Sequence, residues 1–280
     1  MPSVDKIESD IKSLKIQGAT NVALAVLEAL EQAPDKEVGT RLAYARPTEP
    51  LAQNAIRYIF SGEDTKARIQ QYKSFISEAK TAITRFGSTI MQKGATYLTH
   101  CHASTVTNVF LNAHREGKNV GVIATETRPL MQGRITVKEL LDGGLTDVTM
   151  IVDSAAASVL ADPAKKIAAV FVGADLLAER GFVNKIGTLP IVTAAVARNI
   201  PVYCFSTLLK FDPTPFTPDR IEMRPEQEVW PDAPSELKTL APAFDFTPYG
   251  PGISVVCEAG IISGNDVKNA VQKIYPFILL

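Results

Sequence analysis

Cysteine, histidine and tryptophan are scarce in this chain, and their scarcity argues against several classes of protein. The three cysteines stand at positions 101, 204 and 257, too far apart for a CxxC motif and too few for the disulfide framework of a small secreted domain. The three histidines and three cysteines show no metal-ligand spacing, so we expect no metal site. Unpaired cysteines fit a reducing compartment, and we expect the protein to be cytoplasmic.

An excess of charge and a long apolar run are also lacking. The chain has 29 Lys and Arg against 30 Asp and Glu, which leaves a net charge of −1 and no basic surface for nucleic acid or anionic lipid. No run approaches the ~18 apolar residues of a membrane span, and the first residues lack the apolar core of a signal peptide. We therefore expect neither nucleic acid nor membrane as a partner, and any anionic ligand needs a local site.

Glycine-rich nucleotide motifs are missing as well. No G-x-G-x-x-G pattern follows the first predicted strand, and no Walker-type loop is present. The sequence therefore gives no support for a nucleotide cofactor, and we expect the protein to use no cofactor.

Apolar periodicity divides the chain into two parts. Residues 1–92 show helical patterns without a strand pattern, whereas residues 93–280 alternate strand-like and helix-like runs. This order predicts an α/β fold, with an N-terminal all-helical domain (1–92) followed by a Rossmann-like parallel-sheet domain (93–280). The proline-rich segment 212–251 has no clear period, and we expect a long ordered excursion or an arm that contacts a partner. The predicted helices are 4–14, 22–30, 50–60, 64–86, 106–114, 137–141, 155–160 and 189–197, and the predicted strands are 97–99, 120–124, 148–152, 167–172, 202–205 and 253–257.

Cys101 stands in a polar run, 99–105, between a predicted strand and a predicted helix. Open parallel sheets bind ligands at such strand ends, and the start of a helix favours an anion or a thiolate. His100 and His102 flank the thiol, so we expect a cysteine of lowered pKa that is capable of chemistry. The alternative is that Cys101 is a small buried apolar side chain, as free cysteines usually are.

Asp175 follows Gly173 and Ala174 at the end of an apolar predicted strand. A carboxyl group at such a strand end can be desolvated, which raises its pKa and suits a general acid. The alternative is an aspartate that caps a helix beginning at Leu176.

Further polar residues follow other predicted strands and offer donors to a phosphate. Arg128, Asn184, Lys185 and Lys210 are the candidates, and Gly187-Thr188 is a predicted helix start. The alternative for Lys185 is a solvent-exposed amine. The alternative for Arg128 is an ion pair with Glu126 or Glu139.

Several longer motifs together resemble one superfamily. They span nearly the whole chain in the order that the superfamily shows, and together they are specific, although each alone is not. The chain resembles the initiation-factor-2B and methylthioribose-1-phosphate isomerase superfamily, and within it the archaeal ribose-1,5-bisphosphate isomerases. The matching stretches are 45–48 (ARPT), 98–104 (LTHCHAS), 125–129 (TETRP) with Gln132 and Gly133, 152–156 (VDSAA), 172–175 (VGAD), 184–188 (NKIGT) and 244–248 (FDFTP).

The resemblance implies a helical domain, a Rossmann-like domain and an assembly based on homodimers. It also implies metal-free conversion of ribose 1,5-bisphosphate to ribulose 1,5-bisphosphate in nucleotide (AMP) salvage. Carried over by motif, Cys101 and Asp175 are the catalytic pair. The substrate-binding residues that it implies are Gln17, Gly18, Ala19, Thr20, Arg46, Ala103, Ser104, Thr105, Arg128, Gln132, Asn184, Lys185 and Lys210.

One motif departs from the superfamily pattern. Gln17 stands where an arginine is expected, and an amide loses the ionic, bidentate contact with phosphate. Two other functions therefore stay open: an isomerase of another sugar 1-phosphate such as methylthioribose 1-phosphate, and a non-catalytic regulatory subunit. A regulatory subunit has no need for both a thiol and an acid, so Cys101 with Asp175 favours an enzyme.

Overall fold

A computed structural model describes residues 3–280. Five helices form the first part: α1 (Val4–Lys12), α2 (Ala19–Gln32), α3 (Lys36–Ala43), α4 (Pro50–Ile59) and α5 (Thr65–Ile90). Each predicted helix of this part is present, and α5 extends four residues beyond its predicted end. Helix α3 was missed because its eight residues bury only Gly39, Leu42 and Ala43, too few for a clear apolar stripe.

The second part is built on a seven-stranded sheet. Its strands are β1 (Thr96–Thr99), β2 (Gly121–Thr125), β3 (Val148–Ile151), β4 (Ile167–Gly173), β7 (Val202–Phe205), β9 (Ile253–Cys257) and β10 (Gly260–Ser263), in the order β10-β9-β7-β4-β1-β2-β3. All neighbours pair in parallel except β10 with β9. The six predicted strands are confirmed, and β10 is the edge strand that the sequence did not indicate. The helices of this part are α6 (Ser104–Arg115), α7 (Gly133–Asp142), α8 (Ala156–Ala161), α9 (Thr188–Val196) and α10 (Val267–Ile274).

A small antiparallel sheet, which was not predicted, stands beside the carboxyl end of β4. It has the order β5-β6-β8, from β5 (Leu176–Ala178), β6 (Gly181–Lys185) and β8 (Phe244–Pro248). Strand β8 closes the proline-rich segment, which is an ordered excursion of short 3₁₀ turns that returns to pair with β6. The sequence did not reveal this sheet because its strands have only three to five residues.

One apolar core joins the two parts of the chain. Residues of α2, α4 and α5 belong to the same buried cluster as Leu98, Val170 and Cys204 of the large sheet. The tightest approach is at Gly87 on α5, where an added Cβ would lie 2.5 Å from Val109 and 2.7 Å from Phe205. Helix α5 therefore packs closely against α6 and against β9 and β10 at one side of the large sheet. The division into domains at residues 92 and 93 stays a prediction.

Candidate active site

A cavity of about 470 Å³ lies between the helical part and the carboxyl ends of β1 and β4. Its size is that of a pocket for a small molecule. Five cationic side chains and two carboxylates line it, so the local charge is positive although the chain as a whole is nearly neutral. The cationic residues are Arg46, Lys80, Lys185, Lys210 and Arg224, and the acidic residues are Glu139 and Asp175.

Cys101 lies in the turn between β1 and α6, in a left-handed backbone conformation with φ of 67°. A non-glycine residue there is uncommon and is found mostly where neighbouring contacts hold it. Three contacts do so here. The Cys101 backbone N–H donates to Thr127 Oγ1 at 2.9 Å, its carbonyl accepts from Thr136 Oγ1 at 2.9 Å, and Sγ lies 3.7 Å from Gln132 Oε1. Cys101 therefore lies between a strand and a helix and lines the cavity, whereas its catalytic role stays a prediction.

The protonation of this thiol differs from the prediction. Burial raises the pKa of Cys101 to about 12, even though the charge of Lys185 and the backbone N–H of His102 lower it. The nearby charge of Asp175 raises it further. The histidines do not offset burial, because the His100 ring is itself buried. At neutral pH Cys101 is therefore a thiol and not a thiolate.

His100 has a structural position beneath the site. Its Nε2 lies 2.9 Å from the Ile186 carbonyl and its Nδ1 lies 2.6 Å from Thr125 Oγ1. Because a carbonyl only accepts, Nε2 carries the proton and Nδ1 accepts from the threonine. Burial lowers the pKa of His100, so the ring is neutral and joins the Cys101 turn to the segment after β6.

Asp175 lies between β4 and β5, and its side chain lines the cavity. The helix-capping alternative is wrong, because Leu176–Ala178 is a strand and not a helix. The Asp175 backbone N–H donates to Val183 at 2.8 Å, which continues the small sheet. Its carboxylate is close enough to Cys101 to act on the thiol electrostatically. That Asp175 takes part in catalysis stays a prediction.

The small sheet brings further polar groups to the cavity. Lys185, at the end of β6, is buried with Nζ 4.7 Å from the centre of the Phe244 ring of β8. The Asn184 amide donates to Thr188 Oγ1 at 2.9 Å, and Lys210 Nζ donates to the Ala174 carbonyl at 2.6 Å. The alternative of a solvent-exposed amine is therefore wrong for Lys185.

Arg46 also lines the cavity, but two carboxylates already hold it. Its guanidinium lies 2.8 Å from Glu49 Oε1 and 2.9 Å from Glu222 Oε2. Burial raises the pKa of Glu49 to about 7 in spite of Arg46. Burial also raises the pKa of Glu222, but its contacts with Arg46 and Arg224 outweigh burial and leave that pKa below its ordinary value. Arg46 is therefore fixed by ion pairs before any ligand binds.

Two helices begin at the cavity without a side-chain cap. Helix α2 begins after Gly18, whose φ of 84° favours glycine, and helix α6 begins after Ala103. The first N–H groups of a helix have no intrahelical acceptor, so these starts can bind anions. Helix α9 differs, because Asp245 accepts from Gly187 N at 2.8 Å and from Leu189 N at 3.0 Å. Gly173 allows the close approach of β4 to α6, since an added Cβ would lie 2.6 Å from the Ala103 Cβ.

The cavity brings together all but one of the predicted site residues. The exception is Arg128, which does not line the cavity. Its backbone N–H donates to Asp153 Oδ2 at 2.7 Å, and its guanidinium donates to the Val229 carbonyl at 3.0 Å. The structure therefore does not support a substrate contact for Arg128, whose side chain joins two loops. The residues that line the cavity as predicted are Cys101, Asp175, Gln17, Gly18, Ala19, Thr20, Arg46, Ala103, Ser104, Thr105, Gln132, Asn184, Lys185 and Lys210.

Sequence reasoning missed several lining residues. Lys80, Thr207, Arg224 and Phe244 also face the cavity. Phe244 belongs to a recognised motif, and Lys80 interrupts the apolar stripe of α5 between Ile76 and Ile83, which was a usable signal. Arg224 carried no signal because it lies in the irregular excursion.

Within residues 3–280 no group of three or more His, Cys, Asp or Glu side chains could hold a metal ion. Over the same residues no helix is both long and apolar enough to cross a membrane.

Curated relatives are similar to this chain over almost its full length. A ribose 1,5-bisphosphate isomerase of Methanocaldococcus jannaschii is 33% identical, and the match covers 99% of this chain and 97% of the relative. A second protein of that name, from Archaeoglobus fulgidus, is 34% identical over 94% of this chain and 90% of its own. A methylthioribose-1-phosphate isomerase of Dehalococcoides mccartyi is 33% identical over 92% of this chain and 89% of its own.

Solved structures show the same fold. The 5-methylthioribose 1-phosphate isomerase of Pyrococcus horikoshii OT3 superposes with a TM-score of 0.77 at 24% identity, covering 97% of this chain and 88% of that one. The delta subunit of translation initiation factor eIF-2B from A. fulgidus has a TM-score of 0.75 at 27% identity, covering 97% and 91%. The model of the Initiation factor 2 subunit family matches residues 28–264. With most of its length matched, the chain belongs to the Initiation factor 2 subunit family.

Proposed function

We propose that this protein is a ribose-1,5-bisphosphate isomerase that forms ribulose 1,5-bisphosphate by acid–base catalysis without a metal, in nucleotide salvage. The observation that carries the proposal is one cavity in which Cys101 and Asp175 lie with two uncapped helix starts. Two anion sites suit a sugar with two phosphates. The names of the relatives from M. jannaschii and A. fulgidus agree with this substrate.

The reaction needs one proton donor and one proton acceptor. The donor protonates the ring oxygen, so that the bond from that oxygen to C1 breaks and leaves C1 electron-poor. The C2 hydrogen then moves to C1 with its bonding electron pair, and the C2 hydroxyl loses its proton to the acceptor to form the ketone. Burial keeps a proton on Cys101, so we assign the donation to the Cys101 thiol and the acceptance to Asp175. This reverses the roles predicted from the sequence. Lys185, whose charge lowers the pKa of the thiol, stabilises the thiolate that donation leaves.

Some polar groups of the cavity already have partners within the protein, whereas others are free to bind the sugar. Arg46, Lys210 and Arg224 are already engaged by carboxylates or a carbonyl. They therefore fix the cavity wall and its positive potential, whereas the backbone of α2 and α6 offers free donors for phosphate. Lys185 contacts a ring but no carboxylate in the structure, so its ammonium is available to the substrate.

A second candidate is an isomerase of a sugar with one phosphate, such as methylthioribose 1-phosphate. The neutral Gln17 at the start of α2 favours it, because the ionic half of one phosphate contact is missing there. A homodimer or larger homo-oligomer and a cytoplasmic location are further parts of the proposal, and both rest on the resemblance and on the unpaired cysteines.

The proposal is tested by turnover of ribose 1,5-bisphosphate in the presence of a metal chelator. Cys101→Ser and Asp175→Asn should each lower kcat by at least ~100-fold, the lower end of acid–base contributions. Cys204→Ser is the matched control, because Cys204 is equally buried but lies in β7 and does not line the cavity. It should retain the activity of the natural protein.

Each outcome separates the candidates. Turnover of methylthioribose 1-phosphate and not of the bisphosphate would favour the second candidate. No turnover of any pentose 1-phosphate would make the protein a binding subunit and overturn the enzyme assignment.

A further inference from the structure

Lys80 on α5 is the one cationic residue of the cavity wall whose side chain makes no hydrogen bond, ion pair or ring contact with any of residues 3–280. Arg46 and Arg224 form ion pairs, Lys210 donates to a carbonyl, and Lys185 lies over Phe244. A cation without a protein partner has lost none of its capacity to pair with a ligand anion. Its position in the fold then decides which anion it can meet.

The apolar face of α5 carries Lys80 to the cavity. Ile76, Lys80 and Ile83 follow at intervals of four and three residues, so they share one face of the helix, and all three line the cavity. Ile76 and Ile83 are buried, whereas Lys80 is exposed. Its aliphatic stem thus lies along the buried stripe with the ammonium at the mouth of the cavity.

Helix α6 places one uncapped start beside Lys80. Ser88 of α5 accepts a hydrogen bond from the Asn112 amide of α6 at 2.8 Å. Lys80 and Ser104, earlier on the same two helices, also share a location because both line the cavity, so the helices run in the same direction. Lys80 lies eight residues before Ser88, and Ser104 lies eight residues before Asn112, which is about 12 Å along each helix axis. Ser104 is the first residue of α6 and also lines the cavity.

Helix α2 places the second uncapped start on the other side. Lys73 of α5 pairs with Glu31 of α2 at 2.7 Å, and these two helices are antiparallel, since Leu24 and Ile76 face the same cavity. Lys80 lies seven residues after Lys73, and Leu24 lies seven residues before Glu31. Because the helices are antiparallel, Lys80 and Leu24 lie at a similar level. Leu24 is one helical turn from Thr20, at the start of α2. Helix α5 packs against both α2 and α6, so Lys80 lines the same cavity as the two uncapped helix starts.

We propose that Lys80 binds a phosphate of the substrate at this point and supplies the positive charge that Gln17 does not. This inference rests on the proposed function and identifies a specificity-determining residue for it. The backbone N–H groups at the start of α2 give this phosphate its directional donors, and the Lys80 ammonium gives the charge. Because Lys80 is at the mouth of the cavity, its contribution weakens as salt rises.

The test is the KM and calorimetric Kd for ribose 1,5-bisphosphate at low and high salt. Lys80→Ala should raise both about tenfold at low salt, as expected for loss of a charge-assisted bond, and Lys80→Arg should restore them. The kcat should change little, because the contact is made in the ground state and the transition state alike. In Lys80→Ala, the additional change Gln17→Arg should recover most of the lost affinity, since it returns a cation to the same anion.

Lys66→Ala is the matched control, because Lys66 is an exposed lysine of the same helix that does not line the cavity. Equal KM and Kd values for the Lys80→Ala and Lys66→Ala variants would overturn the inference while the proposed function stands. Binding of the bisphosphate without turnover would overturn the proposed function, and the effect of Lys80→Ala on Kd would still decide the inference. A natural protein that does not bind the bisphosphate would overturn both.

Discussion

At the scale of residues, two buried acids near the cavity differ in the hydrogen-bond donors that stabilise their negative charge. Asp245 accepts backbone N–H groups from the start of α9, and burial raises its pKa only to about 6. Glu49 is 2% exposed, and its Oε2 has no hydrogen-bond partner among residues 3–280. Burial raises the pKa of Glu49 to about 7, so near neutral pH this side chain gains and loses a proton within the folded protein.

The pKa of Glu49 makes stability depend on pH in a known direction. The folded value of about 7 exceeds the ordinary value of 4.5, so the folded state binds the proton more tightly and the free energy of unfolding falls as pH rises between these values. Over this pH range, ionisation of Glu49 lowers the free energy of unfolding by about 3 kcal/mol. Glu49→Gln removes the ionisable group and with it this pH-dependent loss. The stability of the variant relative to the natural protein should therefore increase from pH 5 to pH 8. Urea unfolding at the two pH values measures this gain.

Glu63→Gln serves as the control for this prediction, because Glu63 is an exposed glutamate in the loop before α5. It should show the same pH dependence as the natural protein. A difference between Glu49→Gln and the natural protein that is equal at pH 5 and pH 8 would mean that Glu49 is charged throughout.

At the scale of elements, the starts of three helices determine where an anion can bind. Helix α9 has Asp245 at its start, which satisfies the donors that a ligand would need. Helices α2 and α6 have Gly18 and Ala103 in the capping position, and neither makes a side-chain cap. The residue that precedes each helix therefore leaves the first N–H groups of α2 and α6 without a side-chain acceptor, and our proposal uses these two starts for phosphate.

The start of α2 gives a prediction about backbone conformation. Gly18 has φ of 84° and ψ of 131°, a region that nearly only glycine adopts. An added Cβ at Gly18 would meet nothing within 4 Å, so a steric clash is not expected. Gly18→Ala should therefore lower the free energy of unfolding by about 1–3 kcal/mol through backbone strain alone. It should also raise the KM for the bisphosphate, because relaxation of the turn moves the donors of α2. Urea unfolding and steady-state kinetics measure the two effects.

Gly94→Ala separates strain from binding. Gly94 also has positive φ, of 73°, and open space at its Cβ, but it does not line the cavity. It should lose stability and keep its KM. If both variants lose stability and neither changes KM, the start of α2 does not contact the substrate.

At the scale of the whole molecule, the cavity is made by the packing of the two parts of the chain. Helices α2 and α5 supply one wall, and the ends of β1, β4 and β6 supply the other. The two walls share one apolar core, so they are held at a set distance before ligand binds. By our proposal a sugar with two phosphates contacts both walls, and it should therefore stabilise the whole fold and not one part of it.

This arrangement predicts a large thermal stabilisation by substrate. Ribose 1,5-bisphosphate at about 100 times its Kd should add about 2.7 kcal/mol of stability, which corresponds to a rise in Tm of about 5 °C for a chain of this size. Inorganic phosphate at the same concentration should raise the Tm less, and ribose should not raise it. Differential scanning fluorimetry measures all three. Equal shifts for the bisphosphate and inorganic phosphate would mean that the sugar spans no second site.

Much of this protein follows from local patterns. The apolar periodicity predicted the order of helices and parallel strands, because period and burial are set by neighbours in the sequence. The motifs at strand ends predicted Cys101 and Asp175 at one site, since the carboxyl ends of parallel strands meet at the same edge of a sheet. The resemblance to the superfamily added Asn184 and Lys185.

Tertiary structure decided the rest, because the deciding forces act between distant residues. Burial by surrounding elements set the protonation of Cys101, which two flanking histidines had predicted in the opposite sense. Pairing of β6 with β8, about sixty residues apart in the chain, placed Lys185 over Phe244. Packing of α5 between α2 and α6 brought Lys80 to the cavity, and loop contacts turned Arg128 away from it. Such contacts depend on which surfaces meet in the folded chain, and the residues next to Arg128 in the sequence do not encode them.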